Sequence, residues 1–102
     1  MSLEWKYHGS TNSNTPINLP NEFNELCVVT TSTSVSDYLI TIIPYILLAD
    51  TERDFKQAGY FAGNGNGAST GYIATRSSLY CGNYVRNGAS QITNSTTYVY
   101  YR

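Results

Sequence analysis

Tyr38-Leu39-Ile40-Thr41-Ile42-Ile43-Pro44-Tyr45-Ile46-Leu47-Leu48-Ala49 is the most apolar stretch of the chain. Twelve residues interrupted by a proline are too short for a membrane helix. The half from Tyr38 to Ile43 is apolar at odd and at even positions, so both faces of a strand built from it need cover. One face fits a core between two sheets. The other calls for something further, and in a small antiparallel domain another subunit is a common cover. Pro44 has no ladder donor, which predicts that the strand stops there. The stretch thus points to a layered β structure and to an obligate oligomer.

The rest of the sequence agrees with that reading. The chain has 102 residues, enough for one domain over 1–102 with one core. Charged residues are 13% and aromatic residues 14%, with a formal net charge of −1. Low charge with many aromatics is the opposite of a disordered composition. Six Lys and Arg, scattered along the chain, make no basic stripe for nucleic acid. No apolar run reaches the length of a membrane span, so no membrane insertion is expected. The N-terminus lacks the charged segment followed by an apolar one that marks a signal peptide.

Helical periodicity is nearly absent, while strand signals recur between Gly, Asn and Ser clusters. Glu4 to His8 alternates as a first strand, followed by a polar loop from Gly9 to Thr15. Ile17 and Leu19 fit a short strand, and Asn21 to Asn24 a helical turn or a wide bend. Glu25 to Thr31 is rich in β-branched residues and reads as a strong strand. Asp50 to Lys56 holds five of the thirteen charged residues and reads as a solvated loop or a helical turn. Gly59 to Phe61, Ser69 to Arg76, Leu79 to Cys81, Tyr84 to Arg86 and Thr96 to Tyr101 read as strands. Gly63-Asn64-Gly65-Asn66-Gly67 suits a hairpin loop, and Asn87-Gly88 is the dipeptide of a type I′ turn. About seven to nine short strands at this spacing predict an all-β fold, an antiparallel, jelly-roll-like β-sandwich.

Several chemistries lack their residues. The chain has a single histidine, His8, in a strand pattern, so a Ser-His-Asp arrangement is not expected. Asp50, Glu52 and Asp54 stand too close together for the facing carboxylates of a glycosidase, and lack the Gly and Glu of a calcium loop. The Gly/Asn segment is neither a Walker motif nor a dinucleotide fingerprint. No cofactor and no metal is expected. Cys27 and Cys81 lie in separate β-like stretches and read as two free, buried thiols, with a Cys27–Cys81 bridge as the alternative. Asn94-Ser95-Thr96 matches a glycosylation sequon, without a secretion signal to support it.

The residues in excess are those of recognition surfaces. Asn, Ser and Thr supply 33 residues and Tyr another 10. Tyr offers rigid contact area at low entropy cost, and Asn, Ser and Gly offer adaptable hydrogen bonds. The same set suits a sugar, whose ring has apolar C–H faces and a rim of hydroxyls. For any one tyrosine, sheet packing is the simpler role. Binding residues usually sit on loops carried by a rigid sheet. The candidate contacts are therefore Asn64 and Asn66 in the Gly/Asn loop, and Asn83, Tyr84, Arg86 and Asn87 around the late turn.

The order of features resembles the C-terminal domains of phage and prophage tail-fibre or receptor-binding proteins. The likeness runs from Trp5 in the first strand through Asn24-Glu25-Leu26, Ile42-Ile43-Pro44, Leu47-Leu48 and Phe55 before Gly59-Tyr60. It ends with Asn87-Gly88 and the closing Tyr98-Val99-Tyr100-Tyr101-Arg102. The resemblance implies a β-sandwich tip at the distal end of a fibre on the virion. Such tips usually form homotrimers, bind a host cell-surface polysaccharide or protein, and do no chemistry. It implies no catalytic residues. The alternative is a structural tail or baseplate component that only trimerises or caps a fibre.

Overall fold

A computed structural model describes the backbone of residues 4–32, 35–60, 67–86 and 94–102. Within it the chain forms eight strands: β1 (Lys6–Asn12), β2 (Ile17–Asn18), β3 (Glu25–Ser32), β4 (Val35–Pro44), β5 (Arg53–Tyr60), β6 (Gly67–Ala74), β7 (Ser78–Arg86) and β8 (Ser95–Tyr101). A single 3₁₀ turn, Tyr45–Leu47, follows β4. Two four-stranded antiparallel sheets result, in the orders β1-β8-β3-β4 and β2-β7-β6-β5. The fold is an all-β sandwich. Its first and last strands nest as in a jelly roll, β1 against β8 and β2 against β7. The middle of the chain departs from that pattern, because β3–β4, β5–β6 and β6–β7 are direct hairpin neighbours.

Strict alternation builds the core. In β3, Leu26, Val28, Thr30 and Ser32 are buried while the residues between them are half-buried. Leu39 and Ile43 of β4 and Val99 of β8 face the same interior, and Tyr72, Ala74, Leu79, Cys81 and Tyr84 meet them from the second sheet. Leu19 and Leu48, from the connections, close one end. Each such large side chain gains roughly 1.5–3 kcal/mol by leaving water. The two cysteines are free, with Cys81 buried and Cys27 half-buried.

Three expectations need correction. The polar stretch Gly9 to Thr15 is not all loop, since β1 runs on to Asn12 as an edge strand. An edge strand with an open face does not need apolar alternation. Asp50 to Lys56 is not all loop either: Arg53–Lys56 begins β5, with Asp54 and Lys56 exposed and Phe55 packed on the core. Charges on such an edge are a usual guard against stray strand pairing. The two short strands expected at Leu79–Cys81 and Tyr84–Arg86 are one strand, β7, joined through Gly82. Asn21 to Asn24 forms bends, the second of its two expected alternatives.

The connection from β1 to β2 crosses from one sheet to the other at Asn14, whose φ is 60°. Ser13 N donates to Ser95 O (3.2 Å) on the first sheet and Asn14 N to Cys81 O (3.0 Å) on the second. The left-handed conformation is what lets successive amides reach both. The lone histidine also serves this corner: His8 Nε2 lies 2.5 Å from Asn18 O.

Candidate functional site

Inward and outward residues of the second sheet alternate along β6, although Gly71, at an outward position, is itself buried. Thr70, Tyr72 and Ala74 are buried, which turns Ser69, Gly71 and Ile73 outward. On β5 the outward partners are Asp54, opposite Ile73, and Lys56, opposite Gly71. On β7 the alternation breaks. Gly71 pairs with Asn83 and Tyr72 with Cys81, so Gly82 is an extra residue, a β-bulge.

That bulge creates a groove. Two glycines, Gly71 on β6 and Gly82 on β7, add no side chain of their own to this face, Gly71 being buried beside Asn83 and Gly82 lying under the tip of Ile73. The result is a concave site of about 430 Å³ on the outer surface. Ligand pockets commonly run from about 300 to 1,000 Å³, so it has room for a sugar unit. Asp54 and Lys56 form one wall and Asn83 the other, with Ser69 along the floor line. Ile73 supplies the apolar end. A methyl on Gly82 would stand 3.2 Å from Ile73 Cδ1 and 3.6 Å from Tyr80 Cε2. The isoleucine tip therefore lies on the glycine backbone with the Tyr80 ring beside it. Gln57 is held at the groove by Thr41 Oγ1, which donates to Gln57 Oε1 (2.8 Å).

The arrangement offers an acceptor (Asp54), a cationic donor (Lys56), an amide that does both (Asn83) and a hydroxyl (Ser69) around an apolar patch. Asp54 is the one carboxylate among the described residues that lines it. Among the described residues no cluster of His, Cys, Asp and Glu has the grouping of a metal site.

The expected contact residues divide. Asn83 lies in the groove wall and is exposed. Tyr84 does not belong to the surface: it is 1% exposed and part of the core. The cause is the bulge, because one extra residue reverses the phase of a strand and turns the next side chain inward. Asn64, Asn66 and Asn87 lie outside the described residues, as do the Asn87-Gly88 turn and the Gly/Asn loop up to Asn66. Arg86 ends β7, and its side chain lies outside them too.

Asp54, Lys56, Gly71 and Ile73 escaped sequence reading. Their signal was present: Phe55 between Asp54 and Lys56 has the period of a strand with two polar residues on one face. A glycine inside a strand, as at Gly71 and Gly82, marks a bulge or a place where something approaches the backbone.

No protein family, no curated protein and no solved structure matches the chain.

Proposed function

We propose that the chain is a non-enzymatic recognition domain, the tip of a phage-type tail fibre, which attaches to a host cell-surface polysaccharide or protein as a homotrimer. The observation that carries the recognition part is the glycine-floored groove on β5, β6 and β7. Ile73 meets an apolar C–H face, and Asp54, Lys56 and Asn83 match a rim of hydroxyls, which makes a saccharide the best-fitting ligand. Among the described residues Asp54 is the one lining carboxylate, which favours holding a glycan over cutting it, since hydrolysis normally uses two. The fibre-tip setting, on the virion, rests on the resemblance in sequence order.

The test is adsorption to host cells and to a glycan array by the wild-type chain, Gly71→Ala and Asn83→Ala. An added Cβ at Gly71 meets Asn83 Cβ at 3.6 Å, an ordinary contact, so the variant folds while its floor rises. Both variants are expected to bind at least severalfold more weakly with unchanged circular dichroism. Binding that survives both substitutions rules the groove out.

The exposed face of β4 favours the second reading, a structural component that only assembles. Under that reading the wild-type chain adsorbs to neither cells nor glycans.

A further inference from the structure

The outer face of the first sheet is built of neighbouring apolar rows. In one row, Ile42 of β4 stands beside Cys27 of β3, which stands beside Tyr100 of β8 and then Tyr7 of β1. The Tyr7 and Tyr100 rings are in contact, with centroids 5.3 Å apart. In the next row Ile40, Val29 and Tyr98 follow one another. Tyr38 extends the band along β4. The exposures are large for such residues: Tyr38 68%, Tyr7 56%, Ile40 52% and Ile42 48%.

Polar residues bound the band at both ends. Beyond Ile42 comes Glu25, whose Oε1 is 2.5 Å from Arg102 Nε, and the Arg102 guanidinium lies 4.1 Å from the Trp5 ring centroid. Those charges offset one another. Beyond Ile40 the strands carry Thr31 opposite Thr96, and Asn12 opposite Thr96 on the other side. An apolar centre inside a polar rim is the anatomy of a protein interface.

We infer that a second copy of this chain packs face-on against this band. Size is the first reason. Tyr7, Tyr38, Ile40 and Ile42 are exposed side chains of order 200 Å² each when free, so together they present on the order of 450 Å². With the half-buried Cys27, Val29, Tyr98 and Tyr100 continuing it, the band stands at the upper part of the usual largest patch of a monomer, about 300–600 Å², and supplies more than half of the ~800 Å² per partner of a stable interface. Charge is the second. The rows from Tyr38 to Ile42 hold no charged side chain, so like faces meet without repulsion, as symmetric association of one chain requires. Geometry selects face-on packing. Adding a strand to the β4 edge would satisfy its backbone but leave Ile40 and Ile42 in water. The band and the glycine-floored groove are on opposite outer faces of the sandwich, so association leaves the groove open. A face-on pair of like faces is two-fold, so the inference rests neither on the three-fold assembly proposed above nor on any glycan.

The experiment is sedimentation of the full chain without ligand, for wild type, Ile40→Lys and Ile42→Lys, alongside thiol labelling. Both isoleucines are half-exposed, so lysine fits the folded chain and circular dichroism checks it. Wild type is expected to be oligomeric at micromolar concentration and both variants monomeric. Cys27, in the middle of the band, supplies an independent reading. Its labelling rate is expected to rise severalfold on dilution of the wild type and to be independent of concentration in the variants. A wild-type chain that stays monomeric throughout overturns the inference, whatever other protein it captures. So does an oligomer that withstands both lysines with Cys27 equally accessible.

Discussion

The hydroxyl of Tyr72, on β6 of the second sheet, is hydrogen-bonded to Thr30 Oγ1, on β3 of the first. Thr30 Oγ1 also lies 2.9 Å from Thr97 Oγ1 on β8. Tyr72, Thr30 and Thr97 are each 0% exposed. A buried polar link of this kind fixes how the two sheets face each other, because a shifted packing would strand three hydroxyls. Tyr72→Phe keeps the ring and removes the bridge, and Thr30 retains Thr97. Its expected cost is about 1–2 kcal/mol in urea unfolding. Thr30→Val, which removes the partner that Tyr72 and Thr97 share, is expected to cost more, and the double variant less than the two costs together. Wild-type stability for Tyr72→Phe would show that the bridge contributes nothing.

The same burial sets an alkaline limit. Burial pushes the Tyr72 hydroxyl up from 10.0 to about 12, against a smaller opposing effect of the bond to Thr30. The native state then keeps its proton at a pH where the unfolded chain has lost it. Stability from this group is complete below pH 10 and falls as pH rises from there to about 12. The loss is on the order of 3 kcal/mol at most, taking about 1.4 kcal/mol per pH unit. Urea midpoints measured across that range should fall more steeply for wild type than for Tyr72→Phe. Parallel slopes would assign the alkaline loss to other groups.

The cysteines should report the two environments separately. Burial raises both thiols, Cys81 inside the core and Cys27 on the outer face of the first sheet. Under native conditions a thiol reagent is expected to modify Cys27 slowly and Cys81 only as fast as the protein unfolds. In denaturant both react at once, without prior reduction. A native chain that releases no thiol until it is reduced contradicts two free cysteines.

Asn14 should tolerate glycine and reject a branched side chain. Its φ of 60° lies in the left-handed region, which asparagine and glycine enter easily. Asn14→Gly is expected to change thermal stability by only a few tenths of a kcal/mol, and Asn14→Val to cost about 1–2 kcal/mol. Equal melting temperatures for the two variants would mean that the corner relaxes without cost.

Much of this structure was legible beforehand, for identifiable reasons. Glu25 to Thr31 and Thr96 to Tyr101 announced themselves because central strands need β-branched and aromatic residues in alternation. Pro44 marked the end of β4 because it lacks a donor. The edge strands were harder. Lys6–Asn12 and the first part of β5, 53–57, show one open face to water, so their polar residues look like loop. Tyr84 was misplaced for another reason: its direction depends on a single added residue in β7, which no periodicity reveals until pairing with β6 is known.

The division follows from how local each cause is. Sequence alone determined the all-β class, the two apolar faces of Tyr38 to Ile43 and the scarcity of charge, because side-chain period and composition act within a few residues. Only the tertiary structure decided that Gly71 lies beside Asn83 and Gly82 under the tip of Ile73, that Asp54, Lys56 and Asn83 wall one groove, and that Ile40 and Ile42 continue into Val29, Cys27 and the tyrosines of β8 and β1. Those relations depend on strand register across long separations in the chain, and register is set by the whole core at once.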